Sequence, residues 1–255
     1  MKKQFPILEY DSDRRAIISP SDLVKEIPDI PKHAVICFFN DVITHLAESE
    51  KLKIIHSIKS EMGFHHVYSY KFENRSIVLF HPGVGAPLAV ATFEDVIQMG
   101  CDKFIVCGGA GVLDKEIASG HLIVPSSAIR DEGTSYHYIE PSREVSPTTE
   151  AVNAIETILK KRNIPYLKGK TWTTDGVYRE TPAKIALRKS EGCISVEMEA
   201  SALFAVAKFR GVSIGQILYG GDNVDTEIWD HRDWQSNWDV REMLLALSAE
   251  ACLQL

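Results

Sequence analysis

A layered α/β fold is predicted by two features of the sequence. Short apolar runs rich in β-branched residues alternate with longer segments that have a helical period, which is typical of a sheet covered by helices. The chain of 255 residues is 45% hydrophobic, which is enough for a large core and fits one α/β domain. We therefore expect residues 1–255 to form a single domain.

Five strands and two helices can be placed from these patterns. The predicted strands are AVICFF (34–39), SIVLFH (76–81), KFIVCGG (103–109), HLIVPSSAI (121–129) and VSIGQILYGG (212–221). One helix follows the apolar period Val90, Phe93 and Ile97 up to Gly100, and the other follows Leu203, Phe204 and Ala207 up to Gly211. Glycine just beyond the last apolar position is a common helix stop. Both helices should pack on the sheet.

Segment 130–150, RDEGTSYHYIEPSREVSPTTE, is polar and contains prolines. This composition predicts a flexible surface loop. The loop carries Tyr136, His137 and Tyr138, which either line a site or only fix the loop to the surface.

Charge and composition exclude several classes of partner. The formal net charge of −7 gives no basic surface for nucleic acid or for an anionic membrane. No apolar run has the length of a membrane span, and none follows the two N-terminal lysines as in a signal peptide. The five scattered cysteines contain no C-x-x-C pair, which argues against disulfides and zinc. We expect a cytoplasmic protein that acts on a small molecule.

Several short motifs do not support the chemistry that they resemble. HPGVGAP (81–87) lacks the third glycine of a dinucleotide loop, and HRDWQSN (231–237) has neither the spacing nor the companion motifs of a kinase loop. G-x-S-x-G, P-loop and H-E-x-x-H motifs do not occur. The adjacent His65 and His66 should point apart. We expect no metal and no cofactor.

Four segments belong together: FHPGVGAP (80–87), CGGAGVLDKEIASGHLIVPSSAIRDEGTSYHY (107–138), TWTTDGVYRET (171–181) and SVEMEASALFAVAKFRGVSIGQILYGGDNVD (195–225). In this order they resemble the nucleoside phosphorylase and nucleosidase superfamily, over about residues 33–225. The resemblance leaves residues 1–32 as an N-terminal extension. It implies a three-layer α/β/α sandwich with a mixed central sheet, a nucleoside as ligand, and assembly as a homodimer or homohexamer.

The resemblance assigns the ribose to Glu197, Met198 and Glu199. Met198 would lie under the sugar, and Glu199 would accept hydrogen bonds from its 2′- and 3′-hydroxyls. A carboxylate suits two hydroxyl donors, and a polarisable thioether suits the apolar face of the sugar. In the alternative, both glutamates interact with the N-terminus of a following amphipathic helix and Met198 belongs to the core.

The resemblance also assigns the leaving base. Asp222 would protonate N7 of a purine, which favours purine over uracil; alternatively, Asp222 forms an Asx turn in GGDN. Thr174, Val177, Tyr178 and Arg179 would line the base pocket. Trp172 contacts the base or is core. The Gln-x-Arg pair with which uridine phosphorylases hold uracil is not recognisable.

The phosphate site of the phosphorylases is where this sequence departs from the family. Its ligand positions align with Phe38, Val42, Gly63, Val106 and Gly109, none of which supplies a cation or a hydroxyl. Phosphate bound there would therefore lose its hydration without gaining charged or hydroxyl hydrogen bonds in exchange.

The nucleophile region is thus reduced to Gly108, Gly109, Ala110 and Arg130, with Asp41 as the carboxylate nearest to the position of a nucleosidase's water-activating glutamate. Hydrolysis is favoured over phosphorolysis. The alternatives are a phosphorylase, for uridine or a purine, whose phosphate site is rebuilt by Arg130 or Arg179, and a catalytically silent nucleoside-binding protein.

Overall fold

The computed structural model describes residues 2–255 and contains one mixed sheet with helices on both faces. The strands of this part of the chain are β1 His33–Cys37, β2 Leu52–Ser60, β3 Gly63–Phe72, β4 Arg75–Phe80, β5 Lys103–Val112, β6 Leu122–Asp131, β7 Glu144–Val145, β8 Tyr166–Thr174, β9 Cys193–Glu197 and β10 Ser213–Asn223. Its α-helices are α1 Pro20–Leu23, α2 Asn40–Glu48, α3 Ala86–Met99, α4 Thr149–Lys161, α5 Pro182–Ser190, α6 Ala200–Arg210 and α7 Trp238–Cys252.

The sheet closes on itself at one end. Strands pair in the order β10, β6, β8, β9, β5, and β5 pairs again with β10. From β5 the sheet continues through β1, β4, β3 and β2. The strands β10, β5, β1 and β4 are mutually parallel neighbours, so their carboxyl ends meet at one edge.

Two apolar cores cover the two faces of this sheet, as the alternation of side chains along a strand requires. In β1, Ala34 and Ile36 belong to the core that contains α3 and α6. Val35 and Cys37 point the other way, into the core that contains α2, α4 and α7. This arrangement is the three-layer α/β/α sandwich with a mixed central sheet that the sequence predicts.

The five predicted strands are confirmed as β1, β4, β5, β6 and β10, and the two predicted helices as α3 and α6. Gly100 and Gly211 end these helices with φ of 125° and 75°, in the left-handed region that favours glycine.

The expectation that the helix following Glu197 and Glu199 is amphipathic is wrong. Glu197 ends β9, α6 begins at Ala200, and every residue from Ala200 to Ala207 is buried. Helix α6 is covered by α3 and by strands of the sheet, so it has an apolar surface all round.

Segment 130–150, predicted as a flexible surface loop, is largely irregular between β6 and α4. A 3-10 helix, Ser135–His137, and strand β7 interrupt it, and α4 begins at its end. The Arg130 side chain donates hydrogen bonds to Ser135 Oγ, to the Glu140 carbonyl and to Ser142 Oγ at 2.7–2.9 Å. These bonds join both arms of the segment.

In the described chain, residues 2–255, no helix is both long and apolar enough to cross a bilayer. The same residues contain no cluster of three or more metal-ligating side chains. The five cysteines are buried free thiols.

Candidate functional site

The carboxyl ends of four parallel strands bring the predicted site residues to one edge of the sheet. Asp222 lies at the end of β10, Gly108 to Gly111 at the end of β5, Phe38 directly after β1 and His81 directly after β4. Ligands of α/β proteins bind outside such strand ends. Glu199 reaches the same edge, where it contacts the loop between β4 and α3.

Glu197 has the capping role that was the alternative to ribose binding. Its side chain is 8% exposed. One carboxylate oxygen accepts a hydrogen bond from Thr173 Oγ1 at 2.6 Å, and the other accepts the backbone N–H groups of Glu199 and Ala200 at 2.7 and 2.6 Å. A carboxylate at this place satisfies the unpaired donors of the α6 N-terminus.

Glu199 is the carboxylate that faces the site. It is 6% exposed, and Oε1 accepts the backbone N–H of Gly85. Gly85 caps α3 with φ 91°, a conformation that favours glycine. Burial first, and then the charge of Glu197, raise the pKa of Glu199 to about 8. Met198 is half-buried between the two carboxylates.

Asp222 is half-exposed, and its carboxylate points to Gly111 near the end of β5. Its Oδ2 accepts a hydrogen bond of 2.7 Å from Trp229 Nε1. Its Oδ1 lies 3.4 Å from the position that a Cβ on Gly111 would take. The Asx turn of this segment is made by Asn223, whose Oδ1 accepts the N–H of Asp225 at 2.8 Å. Asp222 is therefore available to a ligand through Oδ1.

Glu180 is a carboxyl that the sequence reasoning missed. It is half-buried directly after the 3-10 helix Val177–Arg179. Burial, and next the negative charge of Asp222, raise its pKa to about 7. The sequence offered one signal, its place in TWTTDGVYRET; the proximity to Asp222 arises from the fold. Two carboxyl groups thus lie near the end of β10.

The four predicted base-pocket residues differ in exposure. Thr174 is 2% exposed and accepts the N–H of Gly176 at 3.2 Å. Val177 is 49% exposed, Tyr178 is 93% exposed, and Arg179 is exposed as well. The last three form a short 3-10 helix, Val177–Arg179.

Trp172 is fully buried in a core with Ile129 and Ile185. Its Nε1 donates to Asp131 Oδ2 at 3.0 Å. Of the two roles open from the sequence, the structure supports the core role.

The glycine-rich end of β5, Gly108 to Gly111, is contacted by two aromatic rings. A Cβ on Gly108 would lie 3.4 Å from the Phe38 ring, and one on Gly109 would lie 3.2 Å from the Tyr219 ring. Tyr219 is 1% exposed, and Ala110 is 7% exposed. The rings of Phe38 and Tyr219 thus lie directly beside Gly108 and Gly109.

Two arginines, Arg130 and Arg241, are engaged in internal contacts. Arg130 is 4% exposed, and its guanidinium lies over the Tyr136 ring at 4.3 Å in addition to the hydrogen bonds described above. Arg241, which the sequence reasoning missed, pairs with Asp41 and donates to Tyr219 Oη at 3.3 Å. It comes from α7, far along the chain, so no local motif indicated it.

Comparisons with known proteins give relatives in sequence and in fold. Guanosine phosphorylase of Halorubrum lacusprofundi is 23% identical over 151 residues, which cover 59% of this chain and 63% of that protein. The chain therefore matches less than two thirds of that relative's length.

Two solved structures share the fold. A purine nucleoside phosphorylase from Toxoplasma gondii, in complex with immucillin-H, has a TM-score of 0.76 at 20% identity and covers 89% of this chain and 92% of its own. AMP nucleosidase from Bacteroides thetaiotaomicron has a TM-score of 0.70 at 22% identity, with coverage of 88% and 87%. A family model described as the phosphorylase superfamily matches residues 32–254, and the chain therefore belongs to the phosphorylase superfamily, which comprises nucleoside phosphorylases and nucleosidases.

Proposed function

We propose that this protein binds a ribonucleoside, with a purine favoured, and cleaves its N-glycosidic bond with water. One observation carries the proposal: a buried carboxylate, Glu199, and a ligand-accessible carboxyl, Asp222, reach the same edge of the sheet on either side of the glycine-rich end of β5. One can hold a sugar diol and the other can serve a leaving base.

Glu199 and Met198 hold the ribose in this proposal. Both carboxylate oxygens of Glu199 accept hydroxyl protons of the diol, while the N–H of Gly85 keeps the carboxylate in place. Met198 covers the apolar face of the sugar. Glu197 supports them indirectly, because it holds the backbone of Glu199 and Ala200.

Asp222 delivers a proton to the base as the C1′–N bond breaks. The electron pair of that bond goes to the base, so an acid at the base nitrogen lowers the barrier. A water oxygen forms the new bond to C1′ and loses one proton to solvent or to a carboxylate. The products are ribose and the free base. Val177, Tyr178 and Arg179, with Thr174 behind them, form the wall of the base pocket.

Water is favoured over phosphate because of what surrounds the nucleophile position. Gly108, Gly109 and Ala110 offer backbone groups, and the rings of Phe38 and Tyr219 fill the adjacent space. The guanidinium of Arg130 donates within its own segment. A dianion without a free cation would lose its hydration uncompensated.

We also propose that residues 1–255 form one domain, with residues 1–32 as an extension, and that the protein is a cytoplasmic homodimer or homohexamer. Residues 2–32 of this extension support this organisation, since they contact the rest of the chain through Ile7 and Arg14. Light scattering at micromolar concentration tests the assembly, and a monomer would contradict it.

The function is tested with a panel of purine and pyrimidine nucleosides, each with and without phosphate, and chromatography of base and sugar products. We expect free purine and ribose at a rate that phosphate does not change. Ribose 1-phosphate that increases with phosphate would identify a phosphorylase. Binding without any cleavage would identify a silent nucleoside-binding protein.

A further inference from the structure

The turn that follows β6 contains a buried carboxylate that has no role in the function proposed above. Glu132 is 4% exposed. Its Oε2 accepts the backbone N–H groups of Thr134 and Ser135 at 2.6 and 2.9 Å. Its Oε1 accepts a hydrogen bond of 2.8 Å from the hydroxyl of Ser201. All three donors are uncharged, so hydrogen bonds from neutral groups stabilise the negative charge in the interior.

On one side, Glu132 holds the first turn of α6, the helix that begins directly after Glu199. Ser201 is fully buried in that turn, and its backbone N–H donates to Thr173 Oγ1 at 2.9 Å. Thr173 in turn donates to Glu197, whose other oxygen accepts the N–H of Glu199. Glu132 and Glu197 therefore fix the same turn, from which Glu199 would reach the sugar.

On the other side, the turn at Glu132 holds the segment that leads to the wall of the base pocket. The backbone N–H of Gly133, the next residue, donates to Asp175 Oδ2 at 2.8 Å. Asp175 follows the end of β8 and stands just before the 3-10 helix Val177–Arg179, which forms that wall in the proposed function. Strands β6 and β8 are paired up to their last residues, so this bond continues their contact beyond the sheet.

A buried charge at this place lowers stability, which a purely structural contact would avoid. Burial raises the pKa of Glu197 to about 6, and the negative charge of Glu132 acts in the same direction. Removal of a carboxylate from water is unfavourable, and a like charge nearby adds to the cost. In return, hydrogen bonds to an ionised acceptor are shorter and stronger than neutral ones, which suits a residue that must hold two segments in a fixed relation.

We propose that Glu132 is a positioning residue of the nucleoside site: it links Glu199 to the wall of the base pocket, through Ser201 on one side and through the Gly133–Asp175 contact on the other. This role rests on the ribonucleoside function proposed above. Glu132 itself does not contact the substrate. Recognition of the sugar and recognition of the base, which use distant parts of the chain, would both depend on this one side chain.

The test measures two quantities by calorimetry with the full-length protein. The first is the ratio of the affinities for the purine ribonucleoside that binds in the panel above and for its 2′,3′-dideoxy form, which reports on Glu199. The second is the affinity for the free purine base, which reports on the base wall. Ser201→Ala should lower the first quantity about tenfold, as for one hydrogen bond to a charged group, and leave the second unchanged. Asp175→Ala should lower the second about fivefold, as for a typical hydrogen bond, and leave the first unchanged.

Glu132→Ala should lower both quantities, and addition of Ser201→Ala to it should lower the first no further. Glu132→Gln should restore at least one of the two quantities, because its amide keeps an acceptor on one side only. If Glu132→Ala does not fold, Glu132→Gln decides, since it should still lower one quantity. Ser248→Ala removes another fully buried serine hydroxyl, from α7, and is the matched control that should change neither.

Unchanged values of both quantities in the Glu132 variants would overturn this role and leave the proposed function standing. Losses of the same size in Ser201→Ala and Ser248→Ala would also overturn it, because they would reflect a general effect of buried serines. Failure of the unmodified protein to bind any of the three ligands would overturn the proposed function and this inference with it.

Discussion

Trp229 Nε1 donates a hydrogen bond of 2.7 Å to Oδ2 of Asp222. Trp229 belongs to the segment after β10 and is 59% exposed, so this bond ties a surface segment to the proposed acid. The other oxygen of Asp222, Oδ1, faces Gly111 of β5, where the leaving base would lie.

Asp222→Asn should reduce kcat by about 10²- to 10⁴-fold, the usual contribution of a general acid. Nucleoside affinity should change little, because the amide keeps the shape of the carboxyl and a hydrogen-bonding oxygen. Stopped assays of base release, together with calorimetry, check both quantities. Trp229→Phe, which removes only the indole donor, should cost less than Asp222→Asn. Equal activity of Asp222→Asn and the unmodified protein would exclude Asp222 as the acid.

Glu180 predicts a pH dependence. Its pKa is raised to about 7 by burial and by the charge of Asp222, so the group is protonated below pH 7 and ionised above it. If the protonated form supports departure of the base, kcat should decline as pH rises through about 7. Glu180→Gln should remove that decline, and Asp222→Asn should move it to lower pH in the residual activity. If kcat depends on pH in the same way in Glu180→Gln and in the unmodified protein, Glu180 takes no part in catalysis.

Glu199 predicts discrimination between sugars. Glu199→Ala should weaken ribonucleoside binding by about 1.5 to 3 kcal/mol, the range for hydrogen bonds to a charged group, and 2′-deoxyribonucleoside binding by much less. Calorimetry with the two sugars measures the difference. Equal losses would show that Glu199 does not hold the diol.

Glu199 also makes ribonucleoside affinity depend on pH. The carboxylate must be ionised to accept two hydroxyl protons, and its pKa is raised to about 8. Affinity should therefore increase from pH 6 to pH 8 and then level off. A 2′,3′-dideoxynucleoside, which has no diol, is the control and should show a flat profile. Affinity that falls over this range would contradict the ionised role.

The sequence predicted the strands that contain a long, mostly buried apolar run. β1, β4, β5, β6 and β10 are buried on both faces, and such strands appear as continuous apolar runs. The hairpin of β2 and β3 was missed because its strands are half-exposed and carry polar residues on both faces, as in KIIHSIKS and FHHVYSYK. β8 was missed for the same reason, since its first half is polar.

The site residues also divide into those that the sequence indicated and those that it did not. Glu199 and Asp222 lie in contiguous motifs, so their resemblance to a family was visible in the sequence. The cap formed by Glu197, the nearness of Glu180 to Asp222 and the Tyr219–Arg241 contact depend on residues brought together by the fold. Arg241 comes from the C-terminal helix α7, far along the chain from the glycines at the end of β5, so no local sequence pattern indicated that it lies near them.

The tight contact at Gly109 predicts that alanine substitutions at Gly109 and at Gly133 differ in their effect on stability. A Cβ at Gly109 would meet the Tyr219 ring at 3.2 Å, and Tyr219 cannot move freely because its hydroxyl bonds Trp234 and Arg241. Gly109→Ala should lower the free energy of unfolding by about 1 to 3 kcal/mol, as expected for overpacking. Gly133→Ala is the control, since its Cβ would have ordinary contacts at 3.5 Å. Chemical denaturation measures the free energy of unfolding of both variants. Equal values would show that the Tyr219 ring moves to accommodate the added Cβ.

The central claim, cleavage of a purine ribonucleoside by water, is tested most directly by the fate of the nucleophile. The reaction is run in ¹⁸O-labelled water with unlabelled phosphate present, and the sugar product is analysed by mass spectrometry. We expect ribose with one ¹⁸O incorporated during cleavage, at a rate that does not depend on phosphate and that Asp222→Asn lowers by about 10²- to 10⁴-fold. Unlabelled ribose 1-phosphate, formed in proportion to phosphate, would contradict it.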